Sequence, residues 1–144
     1  MILFHVLLAL HLLAAVAWVG GMAFALMVLR PSLGILEPAQ RLALHAQVFR
    51  RFFLLVWHAM VLVLLTGFIM LFVTFGGFAG VNPWVHVMLL LGLIMSAIFL
   101  AVFFGPWREM RAAPGAAVAE RIRALVGVNL ALGVLTIIVA AFAR

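Results

Sequence analysis

The residues able to do chemistry in this chain are its five histidines, His5, His11, His45, His58 and His86, set in a sequence with no Cys, Asp or Lys. Hydrocarbon offers an imidazole no hydrogen-bond partner, so a histidine in an apolar run is either satisfied inside the protein or part of a site. His11 lies 20 residues before Pro31, and His86 lies 20 residues before Pro106. Matched spacing puts the two imidazoles at one height. If their helices are diagonal neighbours, the rings face each other. Two facing neutral imidazoles suit axial ligation of haem iron, and a copper ion is the alternative occupant.

The other candidates fall around this pair. His5 sits one to two turns above His11 and is a substitute ligand. His58 lies about 10 Å from the Arg-rich side at ~1.5 Å per residue, too far from His11 and His86 to share one mononuclear site. Paired with Asn129, it reads as an interhelical hydrogen bond, a second site or part of a proton path. His45 reads as a solvated or interfacial side chain. Trp18 is too deep for an interfacial belt, so it packs against helices or lines a cofactor cavity. Met22 shares the His11 face, and Met88 and Met95 fall on the third helix, which would give Cu(I) soft donors; methionine is also ordinary apolar filler. For haem propionates the outer side supplies only Arg144 and the N-terminal amine.

Positioning these groups requires membrane helices. Of 144 residues, 70% are hydrophobic and 8% charged, with a mean hydropathy of +1.43. Such a chain has no polar surface to present to water. The predicted fold is an all-α, four-helix, up-down-up-down transmembrane bundle, a single domain over residues 1–144. The expected spans are Ile2 to Leu29, stopping at Arg30-Pro31; a helix from Pro38 to about Val73; Trp84 to Phe104, stopping at Gly105-Pro106; and Ala116 to Phe142. Asn82-Pro83 matches an N-cap followed by proline at the first helical position. Arg108 to Pro114 reads as a polar turn, with Trp84 and Trp107 as interfacial anchors.

The nine basic residues are all arginine. The second and fourth helices are expected to start before the membrane and to enter it near Arg51 and Leu125, so eight of the nine fall outside the membrane around the first and third connections, and the second connection, Gly76 to Pro83, carries no charge. The positive-inside rule then places connections one and three in the cytoplasm and both termini outside, in a bacterial inner membrane crossed several times. The first span reads as retained rather than as a signal peptide. Two hairpins related by a pseudo-two-fold axis would bring the stripe His11, Ala15, Trp18, Met22, Ala25 to face the stripe His86, Leu90, Leu93, Ala97. Asn129, Gly133, Thr136 and Ala140 make a small, polar stripe suited to close packing. Paired carboxylates, a phosphate-binding glycine loop and a Ser-His-Asp set are all missing, which argues against hydrolytic and phosphoryl-transfer enzymes. The basic excess reads as membrane orientation, not nucleic-acid binding.

His11-Leu-Leu-Ala-Ala-Val-Ala-Trp18-Val-Gly20-Gly21 with Leu29-Arg30-Pro31 resembles the first helix of small CopD-like (copper resistance protein D) membrane proteins. Pro83-Trp84-Val-His86 and Asn129-Leu-Ala-Leu-Gly133 are similar to the same family. The first helix also resembles that of HemJ, a membrane protoporphyrinogen oxidase that binds haem b. The first likeness implies copper handling; the second, with the matched histidines, implies haem b and electron transfer. The favoured expectation is a bis-His haem b protein ligated by His11 and His86, in redox chemistry with a quinone, a porphyrin or a membrane or periplasmic partner. The alternatives are copper binding or transport through His5, His11, His86 and Met22 or Met88, and a structural or assembly subunit; a homo-oligomer stays open.

Overall fold

The computed structural model describes residues 1–143. Its elements are α1 (Ile2–Phe24), α2 (Pro38–Ile69), α3 (Pro83–Phe104), a short α4 (Pro106–Ala112) and α5 (Ala116–Phe142). The helices built on α1, α2, α3 and α5 are each long and apolar enough to cross a membrane. There is no strand among the described residues. Leu12, Leu13, Val16, Phe24, Leu54, Leu90 and Ile138 are exposed, the inverse of a water-facing surface and the arrangement a lipid solvent selects.

The helix starts follow their local chemistry. Glu37 and Gln40 form a reciprocal capping box in front of α2, with Pro38 at a position that needs no donor. Asn82 Oδ1 accepts the Trp84 amide at 3.0 Å and opens α3. Gly76 and Gly77, at φ 72° and 102°, make the reversal between the hairpins in a region closed to most other residues.

Two expected stops differ. Pro31 does not end the first helix. The chain widens into a π turn at Ala25–Leu29 and stays helical through Ser32. A proline lacks the donor for the carbonyl four residues back and crowds it, and a wider turn just before it accommodates both problems. The third connection is not a plain polar turn either, because Pro106–Ala112 is helical. It folds Trp107 inward to 4% exposure, where its ring meets Phe53 at a centroid distance of 5.2 Å. Trp107 is therefore a core residue at the Arg-rich end, not an interfacial anchor.

α1 packs mainly on α2, and α3 mainly on α5, giving two hairpins. α1 and α5 touch, as do α2 and α3, and α2 and α5 also meet across the bundle. α1 and α3 share no substantial contact and so hold the long diagonal. Gly133 makes the α1–α5 approach: a Cβ there would lie 2.9 Å from a Val19 methyl and 3.2 Å from the Met95 methyl. The small stripe on the last helix thus packs as expected. The core runs from Ala14, Trp18 and Met22 through Phe53, Val56 and Phe99 to Trp107, Met110 and Ile122.

Candidate functional site

At the end of the bundle with the uncharged connection, His11 is half-buried and meets α2. Its Nδ1 is 3.0 Å from Thr66 Oγ1. The one hydroxyl proton of Thr66 has two backbone carbonyls in reach, Leu62 at 2.6 Å and Val63 at 3.2 Å. The threonine oxygen must then accept, which assigns His11 as a donor through Nδ1–H and leaves Nε2 its lone pair. Gly67 makes room for the ring, because a Cβ there would stand 3.2 Å from His11 Cε1. A neutral imidazole fixed through one nitrogen, with the other unprotonated, is the usual condition of a histidine metal ligand. Thr66 and Gly67 went unnoticed in the sequence, although a lone hydroxyl followed by glycine in an apolar run is the signal that would have found them.

Toward mid-height, Trp18 and Met22 are buried on the His11 face of α1, in line with the expected stripe. With Asn129 they line a cavity of about 10 Å³, roughly the room needed by one water. Asn129 Nδ2 donates to the Met95 carbonyl at 3.2 Å, while its buried Oδ1 has no partner. Met95 is buried beside it, with Thr136 Oγ1 3.7 Å from its sulfur.

At the Arg-rich end His45 is 6% exposed, not solvated. Arg123 Nη1–H donates to its Nε2 at 3.3 Å, and its ring stacks on Phe49. Arg123 is also bonded to Glu120, which pairs with Arg30 at 3.3 Å. The bridge between α2 and α5 joins residues 78 apart in sequence, so no local pattern announces it. Because its lone pair accepts from a guanidinium, His45 is unsuited to ligate a cation.

The remaining candidates do not assemble with His11. His86 is exposed, with its ring stacked 6.1 Å from Phe78. Leu90, Leu93 and Ala97, expected to face inward with it, are exposed as well, and the buried face of α3 carries Leu91, Met95, Ser96, Phe99 and Val102. α3 is apolar all round, so hydrophobicity cannot phase it. The facing pair on which the haem reading rested is not formed. His58 is exposed and bonds its own Leu54 carbonyl at 2.8 Å, apart from Asn129. His5, also exposed, bonds the Met1 carbonyl at 2.8 Å. Arg144, the expected propionate partner, lies outside the described residues. No group of three or more His or Glu residues suited to hold a metal ion occurs among the described residues.

Fold and surface together define a multi-pass, all-helical membrane protein. Residues 46–143 match the family model of copper resistance protein D, CopD. With that much of its length matched, from within the first third of α2 through α5, the chain belongs to the CopD family. No curated protein and no solved structure matches it significantly.

Proposed function

We propose that this protein handles copper as cargo within the membrane, with His11 as its ligand at the uncharged end of the bundle. Membership of a family named for copper resistance supports the reading. The observation that carries it in the geometry is the contact of His11 Nδ1 with Thr66 Oγ1 at 3.0 Å, which occupies one ring nitrogen and leaves Nε2 as the nitrogen to offer a metal. Met22 lies eleven residues further along α1, about 16 Å at ~1.5 Å per residue, and supplies a soft thioether beside the Asn129 cavity. Imidazole and thioether donors at separate heights suit stations for Cu(I) better than one closed cage. His5, one to two turns beyond His11, would stand at the mouth. The positive-inside rule puts the Arg-rich end in the cytoplasm of a bacterial inner membrane and the His11 end outside.

The test is copper binding by the purified, detergent-solubilised chain under reducing conditions, followed by metal analysis after gel filtration. Wild type is expected to retain copper, His11→Ala to lose most of it, and Met22→Leu to lose less. Wild-type retention no greater than that of the His11→Ala, Met22→Leu double variant overturns the reading.

A further inference from the structure

The Arg-rich end carries a second constellation that the copper reading leaves unused. Arg123, Arg30, Arg41 and Glu120 are the charges acting around His45. Three guanidinium groups against one carboxylate leave a surplus of two positive charges. The surplus is also under-bonded. Arg41 spends Nη2 on the Leu36 carbonyl at 3.0 Å, and the Nε atoms of both Arg41 and Arg123 are buried without partners.

Beside this cluster a narrow cleft, about 10 Å³ in volume, lies between the end of the first span, α2 and α5. His45 and Arg123 form its polar end; Leu26, Leu29, Val48 and Phe52 form apolar walls. Those four side chains are only partly buried, so the cleft communicates with whatever surrounds the bundle. One wall is the π turn at Ala25–Leu29, whose wider backbone replaces the regular ridge of an α-helix. A cation has no place here, since Arg123 occupies the His45 lone pair and the local charge repels it. A purely apolar ligand would leave the guanidinium surplus unanswered. The complementary occupant is an anion with a hydrocarbon tail.

We propose that this cleft is a binding site for an anionic phospholipid, its phosphate held by Arg123, Arg30 and Arg41 and an acyl chain lying along Leu26, Leu29 and Phe52. Basic pockets between membrane helices recognise lipid headgroups by this combination of charge and apolar wall. The site is independent of copper.

Native mass spectrometry of the full chain in neutral detergent, titrated with phosphatidylglycerol, phosphatidylcholine or inorganic phosphate, tests it. Saturable binding of phosphatidylglycerol in preference to phosphatidylcholine is expected. Arg123→Gln should weaken it about fivefold, as should Arg30→Gln, an exposed position where folding is not at stake. Arg121→Gln, whose side chain pairs with Glu109 instead, should bind like wild type. Equal binding of phosphatidylcholine, full displacement of the lipid by millimolar phosphate, or unchanged affinity in Arg30→Gln overturns the proposal.

Discussion

The two hairpins start alike and end differently. Each first helix carries a histidine 20 residues before a proline, and each second helix carries a threonine in the half away from the Arg-rich end. In the α1–α2 hairpin the two meet, His11 against Thr66 over Gly67. In the α3–α5 hairpin they do not. Thr136 bonds its own Leu132 carbonyl at 2.7 Å and lies near Met95, while His86 is exposed beside Phe78. Equal height along a helix does not imply an equal face. A histidine becomes a candidate ligand only where rotation about the helix axis also brings it to a partner that fixes its tautomer.

The contrast breaks most sharply if His86 proves to matter as much as His11. Copper retained by the purified protein is expected to fall at least about tenfold in His11→Ala, through loss of the donor nitrogen itself. Thr66→Val keeps the volume and removes the acceptor for Nδ1–H; by dialysis against a competing chelator its copper affinity should drop about tenfold, the lower end for loss of an outer-shell partner. Gly133→Leu addresses the frame instead. Its side chain would collide with Val19 and Met95, and denaturation in detergent should show about 1–3 kcal/mol of lost stability. The smallest change is expected in His86→Ala, with stability within about 0.5 kcal/mol of wild type, as at other exposed positions, and copper retention unchanged. A His86→Ala loss matching that of His11→Ala would restore the paired site and remove the distinction between the hairpins.

The Arg-rich end follows a different logic. There aromatic packing rather than a polar stripe orders the helices, with Phe53 touching Phe49, Phe99 and Trp107. His45 is drawn in by that packing and answered by Arg123 from α5. A histidine that reads as solvated beside four arginines is buried because the neighbouring helix brings a donor to it.

By itself the sequence determined the number of the membrane-crossing helices and where they start, the Pro38 start and the Asn82 cap, the inward face of α1 and the packing role of Gly133. Each depends on residues close in the chain, or on lengths that a bilayer imposes. The family likeness was legible too, in the short motifs Pro83–His86 and Asn129–Gly133, which fall within the matched residues. Only the tertiary structure decided which face of α3 points inward, that Trp107 and His45 are buried, and that His11 meets Thr66 rather than His86. In an apolar helix every face is hydrophobic, so rotation about its axis is set by the fit of neighbouring side chains, information held jointly by segments far apart in the chain.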